Sequence, residues 1–205
     1  MTIARRSARL ALVAVATFIP LGAAPAPAPE MTAEQTFAML LKSARFSVTV
    51  EGVRQGKFKG SSTARGGTSD RIEGVAFHYA ITSPRDAASG MASGKRLHQP
   101  VTFTKGVDAS SPQFFQALTS NEPLKTVVFE FYATDGKGLE APVYTIRLVN
   151  ATVSGWQQYA GDINGGRVSN SDGSMLEDVT MTFQRIEIES KTGKTMAVDD
   201  WYTQS

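Results

Sequence analysis

Two histidines, His78 and His98, are the side chains of this sequence best suited to exchange protons near neutral pH. His98 follows Lys95 and Arg96 in the segment GKRLHQP, but no serine or carboxylate stands near it at the spacing of a known catalytic motif. His78 alternates with aromatic residues, which is typical of a polar position on the second face of a strand. The pattern favours a structural or interface role for His98. A hydrolase, in which folding brings an acid next to His98, is the less favoured alternative.

Two segments have part of the spacing of a ligand-binding loop. ESKTGKT (Glu189–Thr195) ends like a phosphate-binding loop, but Ile188 occupies the position of the first required glycine. DINGGRVSNSD (Asp162–Asp172) has oxygen donors at calcium-loop spacing, but Gly173 stands in place of the glutamate that closes such a loop. The acidic pair Asp199–Asp200 is typical of solvated charge near a chain terminus. We therefore predict no enzyme activity, no cofactor and no metal site.

Charge and cysteine content exclude further classes of function. The sequence has 21 Lys and Arg against 19 Asp and Glu, and no cysteine. Three of the arginines and none of the acids lie in residues 1–24, so the remainder has 18 basic and 19 acidic side chains. A nearly neutral domain offers no bulk electrostatic attraction for nucleic acid or a membrane surface. The lack of cysteine excludes disulfides, thiolate metal sites and a cysteine nucleophile.

The first 45 residues are predicted to lie outside the main domain. Three arginines precede an apolar run from Leu10 to Leu21, which is the layout of a secretory signal peptide over residues 1–24. The run is short for a membrane span, which needs about 20 residues, and an uncleaved anchor is the alternative interpretation. A Pro/Ala linker and an amphipathic helix (Met31–Ala44) follow within residues 25–45. We expect no membrane insertion beyond this leader.

From Phe46 onward, apolar and polar residues alternate with the period of a β-strand. The alternating segments are FSVTVEGV, GVAFHYAIT, PVTFTK, TVVFEFYAT, PVYTIRLVNATVSGW and DVTMTFQRIEIES. In the second segment Val75, Phe77, Tyr79 and Ile81 are expected to share one buried face. Half-buried antiparallel strands separated by Gly-rich turns predict a mainly β domain, either a barrel or a sandwich.

The last alternating segment changes phase along its length. Its apolar residues are odd-numbered through Phe183 and even-numbered at Ile186 and Ile188. Because strand faces alternate with period two, either a bulge lies near Gln184–Arg185 or both faces of the strand become buried. The second explanation would require a partner against the outside of the domain.

One short helix and two long connections complete the pattern. Ser110–Pro112 is typical of a helix start, and Phe115 and Leu118 would then face the domain. The two connections are Thr82–Arg96, which is charged, and Ala160–Ser174, which is rich in glycine. Connections of this length within a domain are usually functional or disordered.

Three segments carry a resemblance to a known family. In chain order they are SGKRLHQPVTFTKGVDASSPQFFQAL, VVFEFYATDGKGLEAPVYTIRLVNATVSG and LEDVTMTFQRIEIESKTGKTMAVDDW. Together they resemble the Hcp family, the tube proteins of type VI secretion systems. The resemblance implies that residues 46–205 form an antiparallel β-barrel with one short α-helix on its side. It also implies a homohexameric ring, rings stacked into a tube, small effector proteins in the ring lumen, contacts with secretion-machine components, and no cofactor.

The resemblance gives the Thr82–Arg96 connection a role in stacking one ring on the next. Its charged side chains are expected to make complementary contacts that set the register between rings. His98, at the end of the connection, is expected to anchor this loop or to lie in the interface. The predicted interface residues are Arg85, Asp86, Lys95, Arg96 and His98.

The predicted leader departs from the resemblance, since Hcp tube proteins normally lack one and assemble in the cytoplasm. The leader predicts a secreted or periplasmic protein, with cytoplasmic tube assembly before secretion as the alternative. The sequence also allows a different function. The chain could be a secreted or periplasmic β-barrel that binds a small protein or ligand through residues 160–174, without a role in a tube.

Overall fold

The computed structural model describes residues 45–61, 71–134, 139–160 and 175–201. The leader over residues 1–24, the linker and helix over residues 25–44 and the calcium-loop candidate over residues 162–172 lie outside these ranges. The described strands are β1 (Arg45–Gly52), β2 (Gly56–Lys57), β3 (Ile72–His78), β4 (Ile81–Thr82), β5 (Leu97–His98), β6 (Val101–Gly106), β7 (Pro123–Thr134), β8 (Glu140–Tyr159), β9 (Leu176–Ser190) and β10 (Thr195–Asp200). The described helix, α1 (Ser111–Thr119), lies between β6 and β7.

Six of the strands close into an antiparallel barrel. The order of hydrogen-bonded neighbours is β9, β6, β3, β1, β7 and β8, and the pairing of β8 with β9 closes the barrel. β2 pairs with β1, β10 pairs with the second half of β9, and β4 and β5 form a separate two-stranded sheet. The prediction of a mainly β, antiparallel barrel with one short helix is confirmed. Within the described residues, no helix is both long and apolar enough to cross a membrane.

The barrel interior is filled by the apolar residues of the alternating strands. Five phenylalanines lie at its centre, with neighbouring ring centroids between 5.0 and 6.3 Å apart. They are Phe46, Phe77, Phe103, Phe129 and Phe131. Burial of a side chain of this size contributes about 1.5–3 kcal/mol. The alternation therefore determines which face of β1, β6 and β7 points inward.

The expected face of β3 is only partly correct. Phe77 packs on the core, but Val75 is 54% exposed and Ile81 is also exposed. The register between β3 and β6 shifts between Gly74 and Ala76, so that Val75 is an extra residue without a partner on β6. Such a bulge bends the strand and changes which face the preceding side chains occupy.

The change of phase along β9 is real, but a one-sided bulge is not its cause. Phe183 and Ile186 are both buried. The register between β8 and β9 is the same on both sides of Gln184, so β9 has no extra residue at Gln184–Arg185 and that expectation is wrong. Instead, Asn150 of β8 has a left-handed backbone, with φ of 51°. Beyond this level, β10 replaces β6 as the second neighbour of β9.

Helix α1 packs on the barrel through residues next to those predicted. Phe114 and Ala117 are fully buried and Leu118 is partly buried against the core. Phe115 is 50% exposed and makes an edge-to-face contact with Trp156, with centroids 5.4 Å apart. The predicted helix start and the role of Leu118 agree with the structure, whereas Phe115 lies at the margin of the contact.

A buried ion cluster connects the start of α1 to the barrel. The Lys105 ammonium group is fully buried and lies 2.8 Å from both Glu177 Oε1 and Asp108 Oδ1. It also donates hydrogen bonds to the carbonyl of Gly106 and to Ser111 Oγ. A buried charge needs such partners, because desolvation without them is costly. The cluster thus joins β6, β9 and the first residue of the helix.

Candidate functional site at the base of the long loop

The connection Thr82–Arg96, called the long loop below, is a hairpin held by its own backbone. It leaves the barrel through β4 and returns through β5, and Arg85 and Ala92 form a β-bridge further out. The amides of Asp86 and Ser93 donate to carbonyls across the hairpin at 2.9 and 3.0 Å. The loop therefore has a defined internal conformation.

Asp86 closes the tip of the long loop. Its Oδ1 accepts hydrogen bonds from the Ser89 hydroxyl and amide, both at 2.7 Å, and from the amide of Ala88 at 3.2 Å. The hydrogen bonds from Ser89 hold the pKa of this carboxyl below its usual value. Of the predicted interface residues, Asp86 thus has a local role in shaping the turn.

The five predicted interface residues fall into two groups. Arg85 and Lys95 are exposed on the hairpin beside Asp86, and within the described residues neither forms an ion pair. Arg96 and His98 instead reach the C-terminal strand β10 at the base of the loop. The structure thus separates exposed charges on the hairpin from a partly buried base.

Arg96 forms a bidentate ion pair with Asp199 of β10. Its Nε and Nη2 atoms donate to the two carboxylate oxygens, and Nη2 also donates to the carbonyl of Asp200 at 3.0 Å. Hydrogen bonds from Arg96 lower the pKa of Asp199 and raise the pKa of Arg96 itself. The planar guanidinium and carboxylate groups pair through two parallel hydrogen bonds, which fix the relative orientation of the two side chains as well as the distance between them.

His98 lies between Asp199 and Tyr79 and is almost completely buried. Its side chain is 3% exposed, with Nε2 2.8 Å from Asp199 Oδ2 and Nδ1 2.6 Å from Tyr79 Oη. A neutral ring with hydrogen on Nε2 donates to Asp199 and accepts from the Tyr79 hydroxyl. Burial, together with the negative charge of Asp199, raises the pKa of Tyr79. The rings of Phe183 and Trp201 also contact His98, each with centroids 5.4 Å away.

Sequence reasoning missed Asp199 and Tyr79 as members of this site. The interpretation of Asp199 as solvated terminal charge is wrong, since it is bonded to both Arg96 and His98. A hundred residues separate Asp199 from the loop, and the register between β9 and β10 brings it there. Met196 and Val198, two large apolar residues at alternate positions in TMAVDD, were the available signal for that strand.

The order of carboxylate, imidazole and hydroxyl resembles that of a hydrolytic triad, but each of the three groups is already engaged within the chain. Both oxygens of Asp199 are engaged by Arg96, and the His98 side chain is 3% exposed, with both ring nitrogens in hydrogen-bond contact. Burial of Tyr79 raises its pKa and so disfavours the phenolate that would act as nucleophile. Among the described residues, no three acidic or histidine side chains are grouped to hold a metal ion. The arrangement is suited to fastening the loop base to β10.

A cavity of about 460 Å³ lies next to this site. Amide and hydroxyl side chains share its wall with the His98 ring and the exposed face of Trp201. The lining residues are His98, Gln99, Pro100, Asn150, Thr182, Phe183, Gln184 and Trp201.

Comparison with known proteins gives one consistent result. A family model described as "Type VI secretion system effector, Hcp" matches residues 48–189. The Major exported protein of Pseudomonas aeruginosa is 32% identical over 140 residues, which is 68% of this chain and 80% of that protein. The residues matched by the family model extend from within β1 to within β9 and include the helix and the long loop.

Solved structures agree with the family model. A crystal structure of an Hcp protein has a TM-score of 0.68 at 25% identity, covering 78% of this chain and 100% of that chain. A mutant of Hcp1 from E. coli EAEC 042 has a TM-score of 0.66 at 26% identity, with coverage of 78% and 100%. The secreted protein Hcp3 of Pseudomonas aeruginosa has a TM-score of 0.62 at 25% identity, again covering 78% and 100%. This chain therefore belongs to the Hcp family of type VI secretion tube and effector proteins.

Proposed function

We propose that this chain is the subunit of a homohexameric ring and that the rings stack into the tube of a type VI secretion system. The family match over residues 48–189 is the observation that carries the proposal. Small effector proteins would occupy the ring lumen, and the tube would contact components of the secretion machine. The subunit would act structurally, without a cofactor.

The outer surface of β10 supports self-association. β10 pairs with β9 along one edge, and among the described residues no strand covers its other edge. Met196, Val198 and Trp201 expose large apolar side chains along this strand and at its end. An open strand edge with exposed apolar groups favours association with another chain. A neighbouring copy would cover this edge, and a contact between unlike surfaces that closes by rotation produces a ring.

The long loop is the surface that we assign to ring stacking. The tip presents the exposed side chain of Met91, and the exposed charges of Arg85 and Lys95 lie on the two arms of the hairpin. Asp86 shapes the turn between these arms, and Arg96 and His98 fasten the base of the loop. Charges at the rim of an interface contribute register and association rate more than affinity.

We also propose that the chain has no catalytic activity of its own. The buried His98 and the raised pKa of Tyr79 support this, as described above. Assays with ester, peptide and glycoside substrates, run beside the His98→Ala variant, test it. Turnover by the native chain that is lost in the variant would contradict the proposal.

The proposed location depends on the leader. We propose a signal peptide over residues 1–24, a linker and helix over residues 25–45, and a secreted or periplasmic barrel domain over residues 46–205. N-terminal sequencing of the protein from separated cell fractions tests this. A mature start near residue 25 in the periplasm or medium supports it. An intact Met1 in cytoplasmic tubes would instead support assembly in the cytoplasm before secretion.

Native mass spectrometry of the purified protein tests the ring. We expect a species of six chains at high micromolar concentration, and a strict monomer under these conditions would contradict the proposal. Val198→Asp places a charge on the exposed face of β10 and should reduce the hexamer. Val53→Asp is the matched control, because Val53 is similarly exposed in the turn after β1.

The cavity beside His98 favours a second candidate function. A secreted barrel that binds a small ligand or peptide would use this cavity, with Trp201 as an aromatic wall. Such a protein would be a monomer, so the mass measurement separates the two functions.

A further inference from the structure

We propose that Asp199 is a positioning residue that fixes the orientation of the long loop on the barrel, and that it thereby controls ring stacking without contacting the next ring. The part of this inference that concerns stacking rests on the proposed function. The part that concerns loop orientation depends on the structure alone.

The long loop is attached to the rest of the domain at its base. The described hydrogen bonds of residues 83–95 are made within the hairpin itself. At its base, β4 and β5 form only two residue pairs with each other and none with the barrel strands. Among the described residues, the polar side-chain contacts that join the base to another strand end on Asp199 and Asp200 of β10. His98 also contacts Tyr79, which lies just after β3. Without the contacts to β10, the described polar links at the base would be the hydrogen bond from the Gln99 amide to the Ala80 carbonyl and the contact of His98 with Tyr79, and the hairpin could pivot on them.

Asp199 lies on backbone that is held in place on both sides. Asp199 pairs with Ile186 in the β9–β10 ladder, and the amide of Trp201 donates to the carbonyl of Gln184 at 3.0 Å. The backbone on both sides of Asp199 is therefore fixed to β9, a strand of the closed barrel. A side chain on a hydrogen-bonded strand keeps its orientation more precisely than a side chain on a loop.

The contact of Asp199 with the loop base requires a carboxylate. Asp199 accepts from Arg96 through both oxygens, and Oδ2 also lies 2.8 Å from His98 Nε2. Only a carboxylate can accept from all these donors. Asparagine has almost the same shape but would direct an NH₂ group at one of them. The substitution Asp199→Asn therefore opens the contact with little change in packing.

A nitroxide label at the loop tip measures the predicted effect. The chain has no cysteine, so Ala88→Cys provides a single labelling position on the exposed tip. In the full chain, the label should report a loop that moves with the barrel, and Asp199→Asn should add a clearly more mobile spectral component. Glu51→Gln is the matched control, because it removes one carboxylate from an exposed ion pair with Lys125 on the other side of the barrel sheet.

Ring and tube formation give a second readout. Asp199→Asn should leave the hexamer mass unchanged but raise the concentration needed for stacking by about tenfold, since only correctly oriented loops can bind. Arg96→Gln opens the same contact from the loop side and should reproduce both effects, which covers the case in which Asp199→Asn fails to fold.

The outcomes separate this inference from the proposed function. A label spectrum unchanged by both Asp199→Asn and Arg96→Gln would overturn the positioning role. Mobile labels combined with unaltered stacking would overturn the control of stacking. A native chain that never forms rings would overturn the proposed function and with it the control of stacking, while the label spectra would still decide whether Asp199 orients the loop.

Discussion

Asn150 and Gln184 face each other at the level where β8 and β9 both change the face that they turn inward. Asn150 Nδ2 donates to Gln184 Oε1 at 2.9 Å, and the ladder continues in the same register on either side. The left-handed backbone of Asn150 absorbs the change on β8. On β9, the Gln184 carbonyl accepts from the first residue after β10. The pair thus marks the level at which β10 replaces β6 as the second neighbour of β9.

The first prediction concerns the backbone of Asn150. Asn150→Ala and Asn150→Gly both remove the hydrogen bond to Gln184, but only alanine is strained at a positive φ. We expect the alanine variant to unfold with a free energy about 1 kcal/mol lower than that of the glycine variant. Urea unfolding of the two variants measures the difference. Equal stabilities would show that the left-handed conformation imposes no cost at this position.

The alternating pattern was sufficient to predict the barrel core because it depends on local sequence. Phe46, Val48 and Val127 are buried as their spacing indicates. It failed at Val75, where a bulge depends on the register with a strand that is distant in sequence. Gly74 was the available signal, since glycine inside a strand often marks a bulge or a close contact. A Cβ atom at that position would lie 1.9 Å from Phe46 Cε2.

The candidate site could be predicted only in part for the same reason. The charged loop and His98 were visible in the sequence as a segment. Their partner Asp199 was not, because its position depends on the β9–β10 hairpin and on the pairing of β9 with β6. Contacts between residues a hundred positions apart follow from the closed topology, which no local pattern specifies.

A second prediction concerns the buried ion cluster. Lys105→Met should lower the free energy of unfolding by about 3–5 kcal/mol, because it leaves Glu177 and Asp108 buried without their cation. Glu177→Gln should cost less, about 1–3 kcal/mol, because Asp108 still neutralises Lys105. Denaturant unfolding at neutral pH gives both values.

The control for this prediction is Lys125→Met, which breaks an exposed ion pair with Glu51 and should cost less than about 1 kcal/mol. The Lys105→Met substitution should also change how pH affects stability at this cluster. Uncompensated buried carboxyls have raised pKa values, so lower pH should relieve part of the penalty. A Lys105→Met protein as stable as the native chain would contradict the importance of the cluster.

A third prediction compares two neighbouring phenylalanines of α1. Phe114 is fully buried between Phe58 and Phe103, with centroids 5.1 and 5.8 Å away. Phe114→Ala should lower the free energy of unfolding by about 3–5 kcal/mol through the cavity that it leaves. Phe115→Ala, at a half-exposed position, serves as the control and should cost about 1 kcal/mol. The reverse ranking would mean that the helix docks through the face predicted from the sequence.

The last prediction concerns Glu122 and the dependence of stability on pH. Its side chain is 1% exposed, and it accepts hydrogen bonds from the amides of Arg54 and Gln55 at 2.6 and 2.8 Å. Burial alone would raise the pKa of Glu122, but the hydrogen bonds from Gln55 and Arg54 outweigh it and lower the pKa. A lowered folded-state pKa gives stability above the unfolded value of about 4.3, and this stability is lost as the pH falls further. Glu122→Gln should therefore cost about 1–3 kcal/mol at pH 7 and flatten the loss of stability below about pH 4. Glu51→Gln should change neither, and a Glu122→Gln protein with the native acid profile would contradict this role.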